Sequence, residues 1–363
     1  MKKIKILQVI GALNYGGAET MILNIYENID RSKFLFDFYL SGNSNGYYEK
    51  KFLDYGCKIY NVGRRKKAPL KYLSKLYFLL KKNHYDIVQV HGVSNSIDYL
   101  PLLVAKLAGV KKRYIFSHNS SGNNKFLHFF LRKILRHNAT KMMSCSDLAS
   151  TWMFGKNVNN VMIIPLPIKC ELCLFNEKFS TEFRKKYKLE NDIVIGHIGR
   201  YQPQKNHLRL LKIFNELHKK CNKYKLILIG TGYLQNNINI YIHDNNLDDC
   251  VIQLGEVPNA CEYLSVFDTV LFPSLFEGYP TVLLEAQANG VPVVASSSIT
   301  KTIDISGLVS FVDLLKNDDV WIKKIMNSAR DTKKSSEYNN IVKNVHGLKR
   351  VASIYEGIYG EVK

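Results

Sequence analysis

Residues 269–285 read TVLFPSLFEGYPTVLLE, and this stretch predicts a buried strand followed by a loop and a helix, which is one βα unit. We expect the strand to end at Phe272 and the helix to begin near Pro280, because proline is favoured at a first helical position. Glu277 then lies in the loop and Glu285 in the second turn of the helix. The two carboxylates can therefore address different parts of one extended ligand.

Paired carboxylates are also typical of glycosidases, in which both acids flank one scissile bond. The basic residues of an earlier βα unit argue against simple hydrolysis. There, strand Ile193–Ile198 is followed by Gly199, Arg200 and Lys205, and then by an amphipathic helix. Two cations beside a helix N-terminus can neutralise a diphosphate without a metal ion. We therefore predict a phosphate site here, with two solvated surface charges as the alternative.

The whole chain alternates short β-branched runs with helix-period segments, which is typical of parallel βαβ units. The predicted strands are Ile4–Ile10, Phe34–Leu40, Lys58–Asn61, Ile87–Val90, Arg113–Ser117 and Lys141–Ser144 in the first half, and Ile193–Ile198, Lys225–Ile229, Val251–Leu254, Thr269–Phe272, Val293–Ala295 and Leu308–Phe311 in the second. The predicted helices between them include Ala18–Asn28, Leu70–Lys82 and Ile97–Ala108. We expect an α/β protein with two open, doubly wound sheets that bind ligands beyond the carboxyl ends of their strands.

The length of 363 residues, with 46% hydrophobic and 23% charged residues, is ordinary for a folded protein of two domains. The segment around Pro165 and Pro167 is extended, because a residue before proline avoids the α conformation, and it marks the boundary. We expect one Rossmann-like domain over residues 1–168 and a second over residues 169–345. Residues 346–363 should form a helix that packs back toward the N-terminal domain.

Glycines also follow the first strand, in the sequence GALNYGGAE at residues 11–19. Such glycines let backbone N–H groups approach an anion at a helix N-terminus, or they merely make a tight turn. The dinucleotide fingerprint G-x-G-x-x-G is absent, so NAD binding is not indicated. His91 and His118 each follow a strand of the same half and are expected at the ligand edge, although a lone histidine is usually structural.

The net charge of +20 belongs almost entirely to the first half of the chain. Residues 1–170 carry 27 Lys and Arg against 9 Asp and Glu, whereas residues 171–363 carry 24 against 22. A basic half predicts an anionic partner such as nucleic acid, an anionic membrane or a phosphorylated ligand. The charge is concentrated at Arg64–Lys67, Lys111–Arg113 and Lys125–Arg136.

The segment Lys125–Arg136 is predicted to be an amphipathic helix. Its expected core stripe comprises Leu127, Phe130, Leu131 and Ile134. Its expected outer face comprises Lys125, Phe129, Arg132, Lys133 and Arg136, with Phe126 at the edge. A basic face with a phenylalanine is typical of a helix that lies on an anionic membrane, and a solvated charged face is the alternative.

The seven cysteines are scattered, and the pair Cys170 and Cys173 lacks the further ligands of a zinc site, so we expect reduced thiols in a cytosolic protein. The apolar run at residues 4–10 is interrupted by Gln8 and is predicted to be a strand rather than a signal peptide. No apolar run of the sequence reaches the length of a membrane span.

Together, these motifs resemble the retaining GT-B glycosyltransferases of family 4, especially those that act in capsular and exopolysaccharide assembly. The resemblance covers nearly the whole chain. It rests on the loop Asn14–Glu19, the segment Ser117–Asn119, Gly199 with Arg200 and Lys205, the segment Gly230–Gly232, and the E-x7-E spacing of Glu277 and Glu285. The glycine loop alone is not specific, whereas the last two motifs in combination with Arg200 and Lys205 are.

The resemblance implies roles for the matching residues. Arg200 and Lys205 bind the donor diphosphate and stabilise it as the leaving group. Glu277 contacts hydroxyls of the donor sugar, and Glu285 accepts hydrogen bonds from the ribose hydroxyls. His118 lies near the sugar. The other implied donor-binding residues are Gly16 and Gly17 from the opposite domain, Gly230, Gly232, Val257 at the base pocket, Gly278, Tyr279, Pro280 and Thr281.

The resemblance also implies a mechanism and partners. The two domains would face each other across a cleft, with a lipid-linked saccharide acceptor on the first and a nucleotide-diphosphate sugar on the second. The acceptor would attack with retention and without a protein nucleophile, so catalysis is mostly positioning and charge stabilisation. The sequence contains no Asp-x-Asp pair, which agrees with a reaction that needs no metal or cofactor. The segment Thr300–Ile305 departs from the broader family, in which a glycine-containing loop is commoner.

We therefore predict a hexosyltransferase at the cytoplasmic, inner face of the cell membrane that binds no nucleic acid and uses a UDP-sugar, with a GDP-sugar as the alternative. Two other functions stay open on the sequence. A nucleotide-sugar epimerase has the same fold and would convert the donor alone. A nucleic-acid-binding protein would explain the basic half, but no recognisable reading motif supports it.

Overall fold

The alternation of strands and helices expected from the sequence is present in both halves of the chain. The computed structural model describes residues 3–42, 46–63, 65, 67–92, 96–122, 125–328 and 330–361. These residues belong to two compact units, of which unit 1 is Met1–Pro167 with Leu348–Lys363 and unit 2 is Ile168–Gly347.

Unit 1 contains a parallel sheet with helices on both faces. Its strands are β1 Ile4–Ile10, β2 Phe34–Leu40, β3 Ile59–Asn61, β4 Ile87–Gly92, β5 Lys112–Ser117, β6 Lys141–Ser144 and β7 Val161–Ile163. Its helices are α1 Gly17–Asn28, α2 Glu49–Asp54, α3 Pro69–Asn83, α4 Leu100–Leu107, α5 Lys125–Leu135, α6 Asp147–Phe154 and the last helix of the chain, α14 Leu348–Gly360. The strand order is β3-β2-β1-β4-β5-β6-β7, so it reverses between β1 and β4. Ligands of such sheets bind beyond the carboxyl ends of the strands at this reversal.

Unit 2 repeats this architecture with six strands. Its strands are β8 Ile193–Ile198, β9 Tyr224–Ile229, β10 Val251–Gly255, β11 Thr269–Phe272, β12 Val293–Ser296 and β13 Val309–Val312. Its helices are α7 Glu177–Lys186, α8 His207–Lys220, α9 Gln235–Asp244, α10 Ala260–Tyr263, α11 Thr281–Asn289, α12 Asp318–Met326 and α13 Ser335–His346. The order β10-β9-β8-β11-β12-β13 reverses between β8 and β11. All four residues of β11 are buried, because helices cover both faces of a parallel sheet.

The structure differs from the prediction at one helix and at one short strand. The helix expected over residues 97–108 is a 3-10 turn, Ser96–Tyr99, followed by α4. Pro101 explains the break, because proline lacks the N–H that a helix interior needs and is tolerated only in the first turn. The short strand β7 was not predicted, since its residues are only partly buried and its sequence carries little periodicity.

Helix α14 packs within unit 1 against α1. The Glu356 carboxylate accepts a 2.7 Å hydrogen bond from the Asp30 backbone N–H. The ring of Tyr359 packs edge-on against Phe36, with 5.7 Å between ring centroids. The chain therefore begins and ends in the same unit.

The buried side of α5 agrees with the prediction only in part. Leu127 and Leu131 of the predicted core stripe are partly buried, and Leu131 packs against the core. His128 faces the interior, where its Nδ1 lies 2.8 Å from Ser96 Oγ and its ring stacks on Trp152. Phe130, predicted in the core, is therefore 63% exposed, and Phe126 is 88% exposed. The side chain of Ile134, another predicted core position, lies outside the described residues.

The predicted basic face of α5 is also only partly correct. Arg132 donates to the carbonyls of residues 151 and 152, and Arg136 donates to the carbonyl of Phe154, so both guanidinium groups bind the end of α6. Lys125 and Lys133 are exposed. We name the outward surface formed by Lys125, Phe126, Phe130 and Lys133 the Phe126 face. Arg64 and Lys66 of another predicted basic cluster lie outside the described residues.

Candidate active site

Lys205 and Glu277 form an ion pair in unit 2. Nζ of Lys205 lies 2.8 Å from Oε1 of Glu277, and the Gln204 amide donates a 3.0 Å hydrogen bond to Oε2. The Asn206 side chain donates to the Pro273 carbonyl at 3.1 Å. These contacts join the loop after β8 to the loop after β11, the two strands at which the sheet order reverses.

The ion pair is largely shielded from water. The Lys205 side chain is 18% exposed and that of Glu277 only 9%. The Lys205 ammonium also lies over the Phe272 ring, 4.7 Å from its centroid. Lys205 is therefore fixed in place before any ligand arrives, and its charge is already paired.

Arg200 lies at the start of the same loop and is exposed. Within the described ranges, its guanidinium has no carboxylate partner. It is thus the cation of this loop whose charge is available to an anion. The sequence predicted that the two cations together neutralise a diphosphate. In the structure Lys205 is paired with Glu277 and Arg200 is accessible.

Gly230 and Gly232 are required by the packing of two loops of unit 2 against each other. Gly230 has φ of +129°, and a Cβ atom there would lie 2.3 Å from the Gly199 carbonyl oxygen. A Cβ atom at Gly232 would lie 2.5 Å from the Tyr201 carbonyl oxygen. The glycines of this motif therefore allow the loop after β9 to lie directly on the Arg200 loop, whatever they contribute to a ligand.

The residues Gly278 to Thr281 lead into α11, which begins at Thr281 with Pro280 as its N-cap rather than as its first residue. The Tyr279 hydroxyl donates to the Thr302 carbonyl at 3.0 Å, and its ring stacks on His346. Tyr279 thereby holds the start of α11 against the Thr300–Ile305 segment. The exposed N–H groups of a helix N-terminus favour a bound anion.

Glu285 lies in the second turn of α11, beside two thiols. Burial raises the pKa of its carboxyl group to about 7, and a hydrogen bond from Cys261 offsets this only in part. Sγ of Cys261 lies 2.9 Å from Sγ of Cys173. This carboxyl group therefore exchanges its proton near neutral pH.

Val257, predicted at the base pocket, follows β10 and packs half-buried against the core.

His118 follows β5 in unit 1 and contacts His91 directly. Its Nε2 lies 2.8 Å from Nδ1 of His91, whose Nε2 lies 2.9 Å from Oε1 of Gln8. Burial lowers the pKa of His118 to about 3 and that of His91 well below the ordinary value. Both rings are therefore neutral at physiological pH, so they can exchange hydrogen bonds but carry no charge.

Gly16 and Gly17 lie at the start of α1, with Gly16 as the N-cap. A Cβ atom at Gly16 would lie 2.5 Å from the Glu19 carboxylate, whereas one at Gly17 would meet nothing within 4 Å. Gly16 thus makes room for a carboxylate at the helix N-terminus, where negative charge is stabilised.

Within the described ranges, His, Cys, Asp and Glu side chains do not form a group of three or more that could hold a metal ion. A cavity of about 850 Å³ in unit 2 is lined by residues such as Pro292, Leu308 and Lys324. It lies near the amino ends of β12 and β13 and holds none of the predicted site residues. The edge with Lys205 and Glu277 is therefore the candidate site.

Two family models match the chain. Residues 179–305 match the model described as glycosyl transferases group 1, and residues 39–146 match the model described as glycosyl transferase 4-like. EpsF of Bacillus subtilis (strain 168), named as a glycosyltransferase, is 33% identical over 347 residues, which cover 92% of this chain and 90% of EpsF. The chain belongs to the glycosyltransferase family.

Other relatives of this glycosyltransferase carry more specific names. The capsular polysaccharide biosynthesis glycosyltransferase CapH of Staphylococcus aureus is 26% identical, with 84% of each chain covered. The UDP-Gal:alpha-D-GlcNAc-diphosphoundecaprenol alpha-1,3-galactosyltransferase of Escherichia coli is 29% identical, with 77% of this chain and 78% of the relative covered.

Solved structures show the fold of the glycosyltransferase. Anabaena HepE in complex with UDP matches with a TM-score of 0.79 at 16% identity, covering 98% of this chain and 100% of HepE. A glycosyltransferase from Rickettsia africae matches with a TM-score of 0.81 at 18% identity, covering 100% and 99% of the two chains. The predicted GT-B class, with two Rossmann-like domains, is confirmed.

Several residues near the candidate site of the glycosyltransferase were not predicted from its sequence. Gln204 precedes Lys205 and shares its carboxylate partner, a relationship that no spacing rule predicts. The sequence shows Gln8 only as an interruption of an apolar run, although a glutamine in a central strand indicates a buried hydrogen bond.

No helix of the described part combines the length and apolar character needed to cross a membrane.

Proposed function

We propose that this glycosyltransferase moves a hexose-type sugar from a UDP-sugar to a hydroxyl group of a lipid-linked saccharide in polysaccharide assembly, with retention of configuration and without a metal ion. The observation that carries the proposal is the Lys205–Glu277 pair beside the accessible Arg200, at the reversal of the unit 2 sheet. The UDP complex of HepE and the lipid-linked acceptor named for the Escherichia coli relative support the donor and acceptor classes.

In the proposed reaction, the bond between the anomeric carbon and the diphosphate oxygen breaks, and its electron pair leaves with the diphosphate. Arg200 provides the main counter-charge, and Lys205 adds a second contact from its fixed position. The acceptor oxygen bonds to the anomeric carbon on the same face, and its proton passes to the departing diphosphate oxygen. Preorganised charge of this kind accounts for much of catalysis.

The two carboxylates of α11 and its preceding loop hold the donor. Glu277, oriented by Lys205 and Gln204, accepts hydrogen bonds from sugar hydroxyls. Glu285 accepts them from the ribose, for which its carboxyl group must give up its proton. The N–H groups at the start of α11 contact the phosphates. His118, neutral at working pH, accepts a hydrogen bond from a sugar hydroxyl.

A thermal-shift panel of UDP, GDP, UDP-sugars and GDP-sugars in excess EDTA tests the donor class. We expect UDP and one or more UDP-sugars to raise the melting temperature, because ligands that bind only the folded state stabilise it. Stabilisation by guanine nucleotides alone would contradict the proposed donor. Incubation with the stabilising sugar nucleotide alone distinguishes transfer from epimerisation, since an epimerase would convert it without an acceptor.

We further propose that the Phe126 face of unit 1 places the enzyme on the anionic inner surface of the cell membrane. Two exposed phenylalanines lie one helical turn apart, and Lys125 and Lys133 flank them. Phenylalanine inserts at the boundary between headgroups and acyl chains, and lysine is attracted to anionic lipid. The same surface would bring the enzyme to a lipid-linked acceptor.

A further inference from the structure

A row of polar side chains is buried in the middle of the unit 1 sheet. Gln8 of β1 is the register partner of Gln89 of β4, and His91 follows two positions later on β4. Gln8, Gln89 and His91 are at most 4% exposed. Burying polar groups in a sheet core costs free energy unless every hydrogen bond is made, so this row calls for a reason.

Helix α14 completes the row from above the sheet. The Tyr359 hydroxyl donates a 2.8 Å hydrogen bond to Oε1 of Gln89 and lies 3.5 Å from Nε2 of Gln8. Since its proton is used by Gln89, the hydroxyl presents only a lone pair to Gln8. Gln8 therefore turns its NH2 group toward Tyr359 and its oxygen toward His91.

The direction of every following hydrogen bond is then determined. Oε1 of Gln8 can only accept, so the proton of the neutral His91 ring is on Nε2. Nδ1 of His91 is left as an acceptor, so Nε2 of His118 must donate to it. Because His118 is neutral too, its Nδ1 carries a lone pair.

We propose that Gln8, His91 and Tyr359 are positioning residues that hold His118 in the tautomer with Nε2 protonated, so that Nδ1 accepts a hydrogen bond from a substrate hydroxyl. The part of this inference that concerns the substrate rests on the proposed function, whereas the tautomer is a property of the unliganded protein. Helix α14 thereby contributes to a site residue that lies far from it in the sequence.

The tautomer can be read directly from the nitrogen-15 shifts of the imidazole rings in the full-length, unliganded protein labelled at histidine. The His118 signals are assigned by their loss in His118→Gln. We expect Nε2 to be protonated and Nδ1 to be unprotonated. A wild-type His118 with its proton on Nδ1 would overturn the proposal.

Two substitutions of His91 separate its hydrogen bond to His118 from its role in packing. In His91→Asn, the amide oxygen can occupy the position of Nδ1 and accept from His118, so the tautomer should be kept. In His91→Phe, the ring fills the space but offers no acceptor, so His118 should become a mixture of tautomers. We expect kcat to fall about 10- to 100-fold in His91→Phe with the donor KM unchanged, and to recover in His91→Asn.

Two tyrosines of α14 give a matched control. Tyr359→Phe removes the hydroxyl that orients Gln8, whereas Tyr355→Phe removes a buried hydroxyl that has no hydrogen-bond partner in the described part of the chain. Only Tyr359→Phe should broaden or shift the His118 signals and lower kcat. If both variants behave alike, or if His91→Phe leaves the tautomer unchanged, the positioning role is wrong even where UDP-sugar transfer is intact. If the His118 tautomer responds as expected but no UDP-sugar is used, the proposed function is wrong. The positioning of His118 by Gln8, His91 and Tyr359 is then still supported.

Discussion

Nζ of Lys205 and Oε1 of Glu277 lie 2.8 Å apart, and they come from the loops after the two central strands of the unit 2 sheet. The pair therefore links the cation proposed to bind phosphate to the carboxylate proposed to bind the sugar before any ligand is present. We therefore expect replacement of either residue to weaken the contact between the two loops. Arg200 has no such partner in the described ranges, so its contribution can be isolated.

Substitution of the two cations should therefore have different effects. We expect Arg200→Ala and Lys205→Ala each to lower kcat/KM about 100-fold or more, since both remove preorganised charge. Arg200→Ala should keep wild-type stability, but Lys205→Ala should lose about 1–3 kcal/mol of unfolding free energy because it removes the cation that faces the shielded Glu277 carboxylate. Rates, urea unfolding and UDP binding are measured for both, with exposed Lys212→Ala as the control. Arg200→Ala should weaken the binding of UDP much more than the binding of uridine. Equal weakening of both would show that Arg200 does not bind the diphosphate.

Donor affinity should depend on pH through Glu285. Its folded pKa of about 7 lies above the ordinary value of 4.5, so between these values the folded protein keeps a proton that the unfolded chain has lost. The unliganded protein should therefore lose stability from this group as the pH rises from 4.5 to 7. The proposed ribose contact needs the ionised form of Glu285, so UDP-glucose should bind about tenfold more weakly at pH 6 than at pH 8.

Calorimetry across this pH range checks the Glu285 prediction. UDP-glucose is a suitable probe because its diphosphate diester does not titrate there. Glu285→Gln should bind more weakly and without this pH dependence, whereas Glu216→Gln, at a carboxylate of α8 whose side chain is 45% exposed, should keep it. A pH-independent wild type would mean that the ionisation of Glu285 is not linked to donor binding.

Gly230 should be intolerant of any side chain even without a ligand. Gly230→Ala puts a Cβ atom against the Gly199 carbonyl at positive φ, and we expect a loss of about 2 kcal/mol or more. Gly357→Ala, in the exposed middle of α14 with nothing within 4 Å, should instead be neutral or stabilising by up to about 1 kcal/mol. Urea unfolding decides this comparison. Unchanged stability in Gly230→Ala would contradict the close packing of the two loops.

Membrane binding should depend on the Phe126 face and not on Arg132 and Arg136. With vesicles of phosphatidylglycerol and phosphatidylcholine, partitioning should grow with the anionic fraction and fade with salt. Phe126→Ser with Phe130→Ser should weaken it, and each of Lys125→Gln and Lys133→Gln should weaken it about fivefold at low salt. Arg132→Gln with Arg136→Gln should lower stability instead, because these side chains bind carbonyls of α6. If the wild-type protein does not bind anionic vesicles at low salt, the Phe126 face is not a membrane-binding surface.

The sequence predicts the parallel sheets well, because the signal for buried strands is local. β1, β2 and β8 have the bounds that their apolar runs predict. The prediction is only partly right for α5, where the buried side holds His128 beside Leu131 and leaves Phe130 exposed. Helical periodicity counts His128 as polar, yet Ser96 and Trp152 satisfy its ring nitrogens inside the protein.

The candidate site was predictable in its residues but not in their connections. The positions of Lys205, Glu277 and Glu285 follow from motif spacing. Their pairing, and the thiols beside Glu285, depend on loops from distant parts of the chain. The same holds for Gln8 and Tyr359, which are 351 positions apart and meet only because α14 belongs to unit 1.

The most direct test of the account is proton NMR of the transfer product. The enzyme is incubated in excess EDTA with the UDP-sugar that stabilises it most and with lipid-linked saccharides extracted from membranes. We expect a new glycosidic signal with the anomeric configuration of the donor, and its loss in Arg200→Ala. An inverted anomeric signal, or transfer only after addition of a divalent metal, would contradict the proposed mechanism.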